Sequence, residues 1–460
     1  MRTLALEQLL PSGVGYAELK VQENRTANIG FLNGSLVQNN TSSSGGIMCR
    51  TFLRGVWGLA SSPLISEDAM RKVIQKAAAN AALLDSKVGK PRIILPQRSA
   101  QGEYLFFTTK ARASIAQKIE YLKHLDDYIA EKYPDLSSRG VNFGQLDMQK
   151  QILTTDGGGF LGMTPRAIIV VWMSIDHDGE PIRHYELAGG FGEWEDHFED
   201  PSEHYELIDR VYRELMEKKE AVWARAGTFD CVLDSDLAGI LSHEAIGHTT
   251  EADLVLNGSI AGEYMDQPVA SPLVTLIDVA NTWNDQLCPV PVFIDDEGTE
   301  AQDCLVIERG ILKNYMHNKE SAQKLGFPLT GNARAYAFSD EPLIRMRNTM
   351  IVPGKDKIKD MIASIEDGYY LIDPSNGQAD STSEFMFGIT RGYEIKNGKL
   401  ARPIKETTIA GVAFDMLKTI TMISDDMQWL CAGMCGKKQQ IPVGMGGPAL
   451  KCKINIGGRS

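Results

Sequence analysis

Two histidines and a glutamate stand together near the middle of this 460-residue chain, in the run LSHEAIGH over residues 241–248. Glu244 directly follows His243, and His248 comes five positions after His243. Imidazole nitrogen ligates zinc well, and a carboxylate beside such a ligand is placed to take a proton from a water attacking a carbonyl. The chemistry this set implies is metal-assisted hydrolysis of a peptide bond or another acyl group. The plain alternative is a pair of ordinary helix histidines, one buried and one solvated.

The spacing constrains the local backbone. Each helical residue turns about 100°, so residues four apart differ by only about 40°, whereas residues five apart differ by about 140°. A straight helix therefore cannot bring His243 and His248 to one ion. Either a π-turn realigns them or the helix unwinds at Gly247. A hydrolytic zinc site also needs a third protein ligand and an open position. His317, Glu251 and the C-terminal thiols are the candidates. Cys435 is the most attractive, because the glycines of GMCGK (433–437) let the backbone approach closely. A thiolate binds zinc strongly, although its donated charge makes the metal a weaker Lewis acid. Cys431 and Cys452 lie near it in sequence and could compete for metal or oxidise with it. Glu251 and Asp253 could orient the histidines by accepting their second N–H, or could simply cap a helix end.

These groups need a scaffold. Residues 15–60 contain alternating strand-like runs, and Asn33-Gly34 has hairpin chemistry. Ser66 caps a predicted helix reaching about Leu84. A second helix is predicted from Ser114 to Lys132, where Ile115, Ile119, Leu122, Leu125 and Ile129 form one stripe. Arg166–Ser174 is strongly β-like. A third long helix is expected from Ser202 to Ala226, ending at Gly227. Beyond it, Phe229–Leu233 reads as a strand, Asp234 as the cap of the motif helix, and Asn397-Gly398 as a hairpin turn. The expected class is α+β. Residues 1–226 form an α/β domain with a mixed sheet and long helices; residues 227–460 form a mostly antiparallel β domain carrying the motif helix.

Composition is that of a globular protein, with 43% hydrophobic and 23% charged residues. The first residues lack the apolar core of a secretory leader, which suggests a cytoplasmic protein. A net charge of −13 disfavours nucleic acid as a direct partner. Lys437, Lys438, Lys451, Lys453 and Arg459 hint at a basic group, read as solvated surface. Seven scattered cysteines do not make a disulfide framework.

The run HEAIGHTTEAD (243–253) resembles the signature of the TldD/PmbA family, whose members are also called modulators of DNA gyrase. The run MCGKKQQIPVGMGGP (434–448), the Tyr16-Ala-Glu-Leu start and residues 46–61 are similar to the same family. The resemblance implies two domains and a dimer with its active site facing an internal cavity. It implies one zinc ion per chain on His243, His248 and Cys435, with Glu244 catalytic, as in the TldD-like branch. It implies peptide or unfolded polypeptide substrates, and either a homodimer or a heterodimer with a PmbA-like (TldE-like) subunit. The competing expectation is a non-catalytic regulatory protein, a gyrase modulator that retains the metal motif. No membrane association is expected.

Overall fold

The structure is a computed structural model that describes residues 15–88 and 93–458. Residues 1–14, read above for a leader, and Arg459 of the basic group lie outside the described residues. Asn33 and Gly34 adopt φ of 48° and 83°, so the expected tight turn joins β1 (Tyr16–Leu32) to β2 (Ser35–Leu53). Then follow β3 (Val56–Ser62), α1 (Glu67–Val88), β4 (Gln101–Leu105), α2 (Ile115–Lys132), β5 (Ser138–Thr154), β6 (Gly159–His177) and β7 (Glu180–Phe191). The sheet runs β3-β2-β1-β5-β6, with β7 antiparallel and β4 parallel to β6.

Local capping starts both helices, at Ser66 as expected and also at Ser114. Ser66 Oγ accepts the Ala69 N–H at 3.2 Å, and Ser114 forms a reciprocal box with Gln117. Both helices cover one face of the sheet. Val73, Ile74 and Ala77 of α1 meet Leu19 and Ile47, while Leu122, Leu125 and Ile129 of α2 meet Ile29, Phe31 and Val141. The other face of β1 carries Glu18, Lys20 and Gln22, all buried. Buried charge must be paired. Arg50 bridges Glu18 at 2.8 Å and Glu297 at 2.6 Å, and Lys150 holds Asp296 at 2.9 Å. This polar layer joins the first sheet to the second half of the chain.

The third helix is shorter than expected. Asp200 caps a single turn at Pro201–His204, α3 spans Tyr205–Glu217, and one more turn ends at Glu220. From there Val222 runs extended and pairs with Ile404, and Ala224 enters the second core. Strand pairing there overrides the helix propensity of residues 221–226. Gly227, at φ 133°, opens a strand instead of closing a helix.

The second half holds β8 (Gly227–Leu233), α4 (Ser235–Leu241), β9 (Leu276–Val279), β10 (Cys304–Glu308), β11 (Asn348–Ile351), β12 (Asp367–Ala379), β13 (Glu384–Lys396), β14 (Lys399–Pro403), β15 (Thr407–Val412), β16 (Gly444–Gly447) and β17 (Leu450–Gly457). Strands β12-β8-β17-β15-β13 form one sheet, and β12 also pairs with β13, so the five close on themselves. A neighbouring sheet runs β10-β9-β11-β16. Only β12–β8 and β11–β16 are parallel among these neighbours, so the fold is α+β with a mostly antiparallel second half. Asn397 and Gly398, at φ 50° and 75°, turn β13 into β14. Among the described residues no helix is long and apolar enough to cross a membrane.

Candidate metal centre

Asp234 Oδ1 accepts the Leu237 N–H at 2.9 Å and starts α4. The helix rests on β16, and a side chain at Gly239 would press within 3.1 Å of the Gly446 backbone. After Leu241 the backbone widens into one π-turn over Ser242–Gly247, closed by the His248 N–H donating to the His243 carbonyl. That i→i+5 bond supplies the realignment the spacing demands. The two rings sit 5.3 Å apart between centroids, at 79°. Gly247 itself keeps helical angles, φ −55° and ψ −54°, so it does not unwind the helix. Its glycine is needed for space: a Cβ there would lie 2.0 Å from Met346 Sδ.

Cys435 arrives from the far end of the chain. Met434–Cys435 pairs with Ile441–Pro442, and Cys435 Sγ lies 3.4 Å from His248 Nε2. Ligand atoms of His243, His248 and Cys435 all fall within 4.8 Å of one another. Two ligands at zinc bonding distance and the tetrahedral angle stand about 3.4–3.8 Å apart. His243 Nε2 is buried with no hydrogen-bond partner, and such an atom is costly unless something accepts its lone pair. Two imidazoles and a thiolate therefore fit a zinc ion, and these three residues could hold one.

Electrostatics favour the thiolate. Burial alone would raise the Cys435 thiol, but the charge of the nearby His243 ring, followed by the hydrogen bond and charge of His248, brings it down to about 3. For His248, burial favours the neutral ring, yet the Glu251 charge outweighs it and the imidazole is raised well above its usual value. The other cysteines are all pushed up, chiefly by burial.

The nearby groups sort unevenly. The His248 Nδ1–H donates to Glu251 Oε2 at 2.9 Å. Asp253 touches neither histidine and instead takes Lys437 Nζ at 2.7 Å. Lys437 also reaches Glu251 at 3.2 Å, so this lysine is largely buried in the site rather than part of a basic surface. His317 lies outside the trio, with Nδ1 3.0 Å from Ser321 Oγ and its ring stacked on Phe327. Cys431 Sγ donates to the Trp429 carbonyl, and Cys452 is buried on β17 opposite Cys231, so neither joins the cluster. Glu244 is about a quarter exposed, 3.6 Å from His248 Nε2. With His248, Met434, Gly436 and Lys437 it lines a cleft of about 500 Å³, walled opposite by residues 377–381.

Two contributors were missed by sequence reasoning. Thr349 on β11 places its hydroxyl 3.2 Å from His243 Nδ1. Arg345, fully buried, donates to the carbonyls of Cys435 and Gln439 at 2.8 Å each. Nothing local marks either residue; a buried arginine between strands is visible only once the strands are placed.

The chain has relatives among known proteins. The profile described as "PmbA/TldA metallopeptidase C-terminal domain" matches residues 226–458, and "PmbA/TldA metallopeptidase domain 1" matches residues 17–81. A "Metalloprotease TldD homolog" of Buchnera aphidicola is 33% identical over 99% of this chain and 95% of its own length. A "Zinc metalloprotease TldD homolog" of Saccharolobus solfataricus is 34% identical over 55% of this chain and 57% of its own. The crystal structure of TldE from Thermococcus kodakarensis shares the fold at a TM-score of 0.73 and 14% identity, covering 98% of this chain and 97% of that one.

Proposed function

The chain belongs to the PmbA/TldD metallopeptidase family, and from that premise we propose that it is a zinc peptidase acting on extended or unfolded polypeptides. The observation that carries this reading is the convergence of His243, His248 and Cys435 beside the open cleft that Glu244 lines. One zinc ion per chain on those three residues would acidify a water and polarise the scissile carbonyl. Glu244 takes the proton of the attacking water and passes it to the departing amine. Glu251 fixes the tautomer and direction of the His248 ring, and the Thr349 hydroxyl steadies the direction of the His243 ring. The cleft accepts an extended chain more readily than a folded surface. Residues 1–226 are assigned as the scaffold half and 227–460 as the catalytic half. Pairing with a second copy or a TldE-like subunit would complete the cavity.

The test is zinc analysis followed by digestion of an unfolded polypeptide with and without chelator. The expected result is one zinc per chain, chelator-sensitive cleavage, and a Glu244→Gln variant that keeps its metal but loses roughly 10²–10⁴-fold in rate. Cleavage that survives both chelation and Glu244→Gln would overturn the assignment. A zinc-loaded chain that cleaves no extended peptide would favour the non-catalytic reading.

A further inference from the structure

A second cavity, apart from the metal cleft, opens between the first sheet and the segment 289–296. Its walls are aromatic. Tyr104 stacks on Phe293 at 4.3 Å, and Phe106 meets Phe191 edge-on at 5.1 Å. The free volume is about 100 Å³, below the roughly 150 Å³ that an apolar core offers a benzene-sized guest, but the half-buried rings leave it open to a compact side chain.

The charges of this cavity do not balance. Lys150, Arg334 and Arg166 line it against a single carboxylate, Asp296. Lys150 takes up Asp296, and the Arg334 guanidinium is spent on the carbonyls of Met346 and Pro442. Arg166 is left over. It is 9% exposed, and among the described residues its Nη1 reaches only the Gly433 carbonyl, at a long 3.4 Å, while its buried Nη2 has no partner. Among the described residues no carboxylate pairs with it. A guanidinium taken out of water without an anion is strongly destabilising, and folds retain such groups where a ligand supplies the missing charge.

We propose that this cavity binds a carboxylate carried on one compact branched apolar side chain, with Arg166 pairing the carboxylate and the Phe293 cluster holding the side chain. Two sources share that chemistry: the C-terminal residue of a peptide and a free acyl amino acid. The site lies behind the Met434–Cys435/Ile441–Pro442 strand pair, since Ile441 and Pro442 line it while Cys435 Sγ faces the histidines. Binding here requires neither the metal nor peptide cleavage, so it can fail or succeed independently of the function proposed above.

Titration calorimetry of the full chain tests it, with N-acetylvaline, its amide, and a decapeptide ending in free valine as probes. The acid is expected to bind at least tenfold more tightly than the amide, with and without chelator. Arg166→Gln should abolish that preference. Val292→Trp, which fills the cavity and leaves the cation in place, should abolish binding of both probes even if Arg166→Gln folds poorly. Decapeptide affinity within threefold of the small acid identifies a peptide terminus; exclusion of the decapeptide identifies a free acyl amino acid. Equal binding of acid and amide, an unchanged Arg166→Gln, unaffected binding in Val292→Trp, or no saturable binding of any probe would overturn the proposal.

Discussion

Replacing Gly247 by alanine sets two effects against each other at one atom. Gly247 has helical angles, and alanine in a helix is worth up to about 1 kcal/mol over glycine. By propensity alone, Gly247→Ala should stabilise the protein. The added Cβ, however, would stand 2.0 Å from Met346 Sδ, 3.1 Å from its Cε and 3.3 Å from its Cγ. Comfortable contact is about 3.5–4.0 Å, so the overlap with sulfur exceeds an ångström. Methionine is flexible, but Met346 is fully buried, its carbonyl is held by Arg334, and its neighbours Arg345 and Arg347 are fully buried too. Overpacking of this kind costs about 1–3 kcal/mol. The steric term should win, giving a net loss of about 1–2 kcal/mol and a displaced His248.

The assay is a double-mutant cycle with Met346→Ala, read by urea denaturation of the metal-free chain so that metal linkage does not mask the change. Met346→Ala alone should cost about 2–5 kcal/mol. In that background the clash is gone and only propensity remains, so Gly247→Ala should change sign and stabilise by about 0.5–1 kcal/mol. A coupling energy of about 1–3 kcal/mol is expected. If Gly247→Ala stabilises the otherwise unaltered chain, or if the two substitutions add within about 0.5 kcal/mol, close approach to Met346 is not why glycine stands here.

Arg345→Met should cost about 2–5 kcal/mol and release zinc, because it leaves the Cys435, Lys437 and Gln439 carbonyls without their buried donor; melting curves and metal analysis read both effects. Arg345→Lys should not rescue it, since one ammonium cannot span three carbonyls. Glu251→Gln should weaken zinc affinity about 10–100-fold in a competition titration, and Asp253→Asn much less, because only Glu251 contacts a histidine. His317 is held neutral by burial, its pKa pushed down to about 4 from the ordinary 6.5. The unfolded chain therefore takes up this proton first, so stability from the neutral ring is complete above pH 6.5 and is lost as pH falls towards 4, by up to about 3 kcal/mol. His317→Phe should flatten the pH dependence of urea midpoints between pH 7 and 4.5; an unchanged slope would count against a buried neutral ring.

Local chemistry was legible where neighbours in sequence decide it. Asn33-Gly34 and Asn397-Gly398 turn as their residue types require, and Ser66 and Ser114 cap the helices they precede. The five-residue spacing required a distorted helix, which a π-turn supplies, but the need for glycine at 247 comes from Met346, about a hundred positions away. The end of α3 was missed because residues 221–226 answer to Ile404 and the second core rather than to their own propensity. The buried polar face of β1 was equally hidden. Glu18 and Lys20 look like the solvent side of a strand until Arg50, Glu297 and Asp296 close over them.

Three acids follow His243 within ten residues, and their sequence positions alone do not divide the work among them. Burial and pairing do. Glu251 is wholly buried and committed twice, to the His248 ring and to Lys437. Asp253 is committed to Lys437 through both of its oxygens. Among the described residues no lysine or arginine holds Glu244, and of the three acids it alone lines the cleft with His248. The proposal of Glu244 as general base therefore has physical support independent of its place beside His243. Lys437→Met would release Asp253 and Glu251 but leave both outside the cleft lining, so Glu244→Gln should remain as damaging in that background as in the unaltered chain.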